Sequence, residues 1–118
     1  MSLSASLQNL LDGVEDAEGV ALIGVDGIVV DEAKRTSAVD WQLVAAEYCS
    51  LWREMDRVSG SLSFGSTQEC PIFSDSRTLL FRRVTPQYFL VMAFAREGNT
   101  GKGRFLLRYS VPQLAKEL

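Results

Sequence analysis

The chain has 118 residues, 47% of them hydrophobic and 23% charged, which is one domain's worth of chain with enough apolar side chains for its own core. Its formal charge is −3 and it contains no histidine. The commonest general base and commonest metal ligand near neutral pH are therefore missing, no Ser-His or Cys-His nucleophile can be assembled, and a zinc site would need both cysteines plus carboxylates.

The opening Met1-Ser2-Leu3-Ser4 has neither the basic stretch nor the apolar core of a secretory signal. No apolar run reaches the roughly 18 residues of a membrane span. A cytoplasmic protein without a membrane partner is expected. Leu3, Leu7, Leu10, Leu11 and Val14 form one apolar stripe, predicting a first helix over about residues 3–15 capped by Ser2 or Ser4. Gly19 to Glu32 reads as two short apolar runs split by Asp26-Gly27, a tight-hairpin signal, giving strands near 19–25 and 28–32.

Lys34 to Ser37 is a polar connection, and Ser37-x-x-Asp40 resembles a capping box opening a second helix over about 38–59, with Gly60 as its stop. Trp41, Val44, Ala45, Tyr48, Trp52 and Met55 repeat at three- and four-residue steps on it, and Leu43, Ala46, Ser50 and Leu51 widen the apolar stripe. Either all of this packs on the chain's own sheet, or one edge meets a second copy, a use that suits Trp and Tyr as interface anchors.

Three further strands follow, near 68–73, 77–84 and 88–95. The last, YFLVMAFA, is apolar on both faces and belongs at the sheet centre. The first contains Pro71 and belongs at an edge. Arg82 and Arg83 put the middle one nearer an edge. A glycine-rich stretch, Gly98-Asn99-Thr100-Gly101-Lys102-Gly103, opens a final helix whose Phe105, Leu106, Tyr109, Leu114 and Leu118 are expected to face the core, with Pro112 interrupting it or starting a second turn. The predicted order is α-β-β-α-β-β-β-α, an α+β domain spanning 1–118, with one five-stranded antiparallel sheet and helices on both faces.

No residue set reads as catalytic, cofactor-binding or metal-binding. The Gly98–Gly103 stretch lacks P-loop spacing and has Gly103 where the Mg²⁺-binding hydroxyl would stand, so an ordinary loop is expected. Asp26 reads as a turn residue, Asp31 as a solvated strand end, and Glu15, Asp16 and Glu18 as solvated loop charges. Arg77, Arg82, Arg83 and Arg96 read as solubility and edge protection rather than an arginine finger. Cys49 and Cys70 read as reduced apolar side chains. Residues 1–59 carry 11 acidic and 4 basic side chains, net −7; residues 60–118 carry 4 and 8, net +4. The two halves are expected to interleave and offset one another, rather than make a bipolar surface, and nucleic-acid binding is not expected.

The helix followed by GVALIGVDGIVV, the YFLVMAFA strand and the GNTGKGRFLLR helix opening, in this order, resemble the Roadblock (dynein light chain-like) family, on its bacterial Mgl-type branch and among MglC-like members. The resemblance covers essentially the whole chain. It implies homodimers in which second helices pack together and third strands join into one sheet. It also implies non-catalytic regulation or scaffolding of Ras-like GTPases in cell polarity or motility, with an MglB-like Roadblock protein and/or the GTPase as partner. Carried over by position, the dimer helix is Trp41 to Val58 and the joining strand Gln68 to Phe73. The expected dimer or partner interface is then Trp41, Val44, Ala45, Tyr48, Leu51, Trp52, Met55, Ile72 and Phe73. Pro71 departs from what a freely pairing edge needs. The alternative reading is a small-molecule sensor of the PAS or GAF kind, which requires an internal pocket.

Overall fold

A computed structural model describes residues 2–96 and 98–118; Met1 of the expected N-terminal segment lies outside the described residues. The elements are α1 (Leu3–Asp12), β1 (Ala17–Gly24), β2 (Val29–Lys34), α2 (Trp41–Ser61), β3 (Glu69–Phe73), β4 (Arg77–Thr85), β5 (Tyr88–Ala95) and α3 (Thr100–Lys116). The five strands form one antiparallel sheet in the order β2-β1-β5-β4-β3. The wholly apolar β5 is central and the proline-bearing β3 is an edge, as their compositions require.

Strand alternation sends successive side chains to two cores. Val20 and Leu22 of β1 and Leu90, Met92 and Phe94 of β5 meet Leu7, Leu10 and Leu11 of α1 and Leu107 and Leu114 of α3. Ala21, Ile23, Phe81, Phe89 and Val91 face the other way, toward Trp41, Ala45 and Trp52 of α2. The Trp52 ring stacks on Phe89 at 5.0 Å and on Phe81 at 5.9 Å.

Helix ends differ from the sequence expectation where capping chemistry decides. Ser2 caps α1, accepting from the Ala5 N–H at 3.1 Å. Asp40, not Ser37, caps α2, accepting from the Leu43 N–H at 3.1 Å. Gly60 does not stop α2; it lies in the last turn, and Leu62 is the C-cap. Helix α3 runs through Pro112 without a break. The carbonyl of Arg108 that Pro112 leaves unpaired belongs to an exposed residue beside an exposed proline, where water can reach it.

The halves of the chain interleave, as expected: β5 pairs with β1, and α2 of the first half packs on Phe81 and Phe89 of the second. The sheet order sets β2 and β1 beside β5, β4 and β3, while α2 of the acidic half lies over the strands of the basic half. Only two ion pairs, Arg77 with Glu18 and Arg83 with Asp56, cross between them among the described residues. This corrects the reading of Arg77, Arg83 and Glu18 as solvated charges: Arg83 is buried beside Asp56 of α2, and Arg77 and Glu18 are partly buried against each other. Asp16 is likewise engaged, accepting from the Asn99 N–H at 2.8 Å, and Asp31 accepts from the Ser4 hydroxyl.

Candidate interaction surface

Helix α2 carries two apolar faces. Trp41 and Trp52, each 1% exposed, and fully buried Ala45 lie against the chain's own sheet. They were expected at an interface and are core residues instead, because Trp52 stacks on Phe81 and Phe89 of the sheet and Trp41 lies over Gly19 of β1, where a Cβ would stand 3.1 Å from its ring. Val44, Tyr48 and Met55 sit half-buried on the flank that leans toward Cys70 and Ile72 of β3. Leu51, 47% exposed, together with Leu43, Val58 and Leu62, faces solvent. At 3.6 residues per turn Leu51, Val58 and Leu62 lie on the shoulder adjoining Val44, Tyr48 and Met55. The expected site residues thus divide: Trp41, Ala45 and Trp52 are behind, while Val44, Tyr48, Leu51, Met55 and Ile72 form a ridge beside the sheet edge.

A network locks this helix in place. The Arg83 guanidinium, buried under α2, pairs with Asp56 of the helix. It also donates from Nε to the Thr67 carbonyl at 2.9 Å and from Nη1 to the Pro86 carbonyl at 3.0 Å. It lies 5.3 Å from the Trp52 ring centroid, a cation–π contact. Asp56 accepts in addition from the Thr67 N–H at 2.9 Å. The C-terminal half of α2 is tied in this way to the strand β3 approach and to the β4–β5 turn.

The edge beside the ridge is β3. The Arg83 N–H donates to the Gln68 carbonyl at 2.9 Å and the Ser74 N–H to the Arg77 carbonyl at 3.0 Å. By antiparallel alternation the backbone groups of Glu69, Pro71 and Phe73 therefore point away from β4, to the open side. Pro71 removes no donor from the chain's own ladder and removes the middle one from the free edge. Phe73, 68% exposed, projects on the sheet face opposite α2. A groove of about 440 Å³ runs between the start of α2 and the β3–β4 turn, lined by Leu43, Val44, Tyr48, Ser74, Arg77 and Leu79 among others.

The glycine-rich opening of α3 has a packing purpose. A Cβ on Gly103 would stand 2.5 Å from Phe94 Cζ and 3.2 Å from Met92 Sδ, so glycine lets the helix sit directly on β5. The Asp16 carboxylate occupies the position before the helix start, at the Asn99 N–H, where a phosphate cradle would have to be free of negative charge. Among the described residues no group of three or more His, Cys, Asp or Glu side chains is placed to hold a metal, both cysteines are free thiols, and no helix is long and apolar enough to cross a membrane.

This architecture is found in solved Roadblock structures. Myxococcus xanthus MglB superposes with a TM-score of 0.85 at 18% identity, over 96% of this chain and 91% of that one. A Roadblock/LC7 domain from Streptomyces avermitilis superposes with a TM-score of 0.76 at 17% identity, over 97% and 98%. No protein-family model and no curated protein sequence matches the chain. The fold and the helix-and-edge arrangement are those of a Roadblock/LC7 domain. MglC from Myxococcus xanthus shares 32% identity over 100% of both chains, with a TM-score of 0.70. The chain belongs to the Roadblock family, on its Mgl-type branch with MglC.

Proposed function

We propose that this chain is a non-catalytic, dimeric adaptor in a small Ras-like GTPase system serving cell polarity or motility, which binds another Roadblock protein, the GTPase, or both. The observation that carries the reading is the apolar ridge of α2, Leu51, Val58 and Leu62 beside Tyr48 and Met55, left in water along a helix that Arg83 and Asp56 hold rigid. Apolar area removed from water contributes about 25 cal/mol per Å². A two-fold contact buries the same ridge twice.

Helix contact dominates this dimer. With Pro71 the outward edge of β3 offers N–H donors only from Glu69 and Phe73, so pairing of third strands adds less than it would in an uninterrupted edge. An MglB structure described as having a tetrameric arrangement supports assembly between Roadblock chains as the mode of action. No cofactor enters this reading. A sensor of the PAS or GAF kind gains no support, since the grooves among the described residues open at the surface rather than within either core.

Size-exclusion chromatography with light scattering tests the dimer: a mass near twice 13.1 kDa is expected, falling to the single-chain mass for Leu51→Glu with an unchanged circular dichroism spectrum. Pull-down against the Roadblock and Ras-like GTPase proteins encoded nearby tests the adaptor role. A wild-type monomer that retains neither overturns the reading.

A further inference from the structure

A second surface lies on the opposite face of the sheet from α2, and the dimeric reading does not use it. Helix α3 turns Gly103, Leu107 and Leu114 inward, which leaves Phe105 and Tyr109 on the outside, the latter 74% exposed. Their rings stack on each other at 6.1 Å with an interplanar angle of 21°. Two exposed aromatics at i and i+4 form a flat apolar platform in water, and their mutual contact stabilises the helix by only about 0.2–0.5 kcal/mol, which leaves most of their area open to a partner.

The platform is bordered by cations. A depression of about 280 Å³ is lined by Glu69, Arg82, Arg104, Phe105 and Arg108. It adjoins a second, lined by Phe105, Arg108, Tyr109 and Pro112; the shared Phe105 and Arg108 make them one continuous surface. Three guanidinium groups face one carboxylate there. Arg104 alone hydrogen-bonds Glu69, from Nε at 2.6 Å and from Nη2 at 2.9 Å. Arg82 and Arg108 act on that carboxyl only through their charges. Arg82 Nε has no hydrogen-bond partner among the described residues, so it can donate to an acceptor brought to this face.

We infer that this face of α3 is a docking site for an acidic peptide segment of another protein, whose carboxylates meet Arg82 and Arg108 while one apolar side chain lies on the Phe105–Tyr109 platform. Planar guanidinium forks pair with carboxylates in two-point geometry, and aromatic anchors flanked by arginine concentrate binding energy. The Glu69 carboxylate inside the depression and the chain's net charge of −3 act against an extended polyanion. An extended polyanion such as a membrane surface also meets the rest of a molecule with net charge −3, whereas a short peptide feels only the local cationic cluster.

The test uses the full chain and fluorescein-labelled peptides of about ten residues, rich in Asp and Glu with a central Leu or Phe, read by anisotropy. Saturable binding is expected, weakened by about tenfold or more in Arg108→Glu and in Phe105→Ala, and absent for the same peptides with Lys in place of the acids. Light scattering on both variants is expected to show an unchanged oligomeric mass, which separates this site from the α2 ridge. Failure of every acidic peptide to bind overturns the inference. So does tighter binding to phosphatidylserine vesicles or to a single-stranded oligonucleotide than to the peptides. Loss of the dimer in the α3 variants would make this face a contact between copies and would also overturn it.

Discussion

Arg83 shows how far a charged residue's role depends on partners remote in sequence. It sits between two strand neighbours and under an indole, 8% exposed, with Asp56 as its counter-ion. Removing one member of a buried pair leaves the other charge uncompensated, which costs about 3–5 kcal/mol when both are deeply buried. Asp56 remains partly accessible to water, so Arg83→Met is expected to lower unfolding free energy by about 2–3 kcal/mol, measured as a shift of the urea midpoint. A shift under a few tenths would show that the network does not hold α2. Glu69 gives a pH signature. Hydrogen bonding to Arg104 holds its carboxyl below the ordinary carboxylate range. With the folded value depressed, the pair's contribution is complete above the unfolded value of about 4.3 and fades as pH falls through the folded one. Glu69→Gln is therefore expected to be less stable than the wild type by about 0.5 kcal/mol near neutrality, the two curves converging in acid. A gap that persists unchanged at low pH would assign Glu69 a packing role instead.

At the scale of elements, glycine and proline mark where close approach or pairing is decided. Gly103→Ala places a methyl against Phe94, whose ring is fully buried and cannot swing aside. Alanine favours a helix over glycine by about 1 kcal/mol, but overpacking costs about 1–3 kcal/mol, so the melting temperature is expected to fall in calorimetry; a rise would mean that α3 lifts off β5 freely. Pro71→Val returns an outward N–H to the middle of the β3 edge, and self-association is expected to tighten by several-fold in sedimentation equilibrium. The element order was legible because YFLVMAFA admits only a central strand and Asp26-Gly27 only a turn, with Gly27 indeed at φ +88°. The division of α2 into core and ridge was not. Trp41 and Leu51 are both apolar on a helix that is apolar well beyond one stripe, and only the sheet surface beneath, with Gly19 of β1 leaving room for the Trp41 ring, assigns them. Phe105 and Tyr109 were expected inside for the same reason: aromatic identity outweighed the inward line of Gly103, Leu107 and Leu114, whose first member has no side chain to betray it. The Arg82 and Arg108 cluster around Glu69 joins three elements, and no local pattern encodes it.

The whole molecule sets two surfaces on opposite faces of one sheet, and they obey different physics. The α2 ridge is aliphatic and aromatic, and its one exposed ion pair nearby, Arg57 with Glu54, is satisfied within the helix at 2.6 Å. The α3 face is cationic, with Arg82, Arg104 and Arg108 around the single carboxylate of Glu69. Raising salt from about 0.1 M to about 1 M shortens the screening length from about 10 Å to about 3 Å and leaves apolar burial intact or slightly strengthened. The dimer's dissociation constant is accordingly expected to change by less than about twofold over this range, measured by sedimentation equilibrium, while the affinity for an acidic peptide drops by about tenfold or more in anisotropy. A dimer that dissolves in salt would mean that its contact is built from charges and not from the Leu51 ridge. A peptide affinity indifferent to salt would leave the stacked aromatics as the whole of the second site and remove the arginines from it.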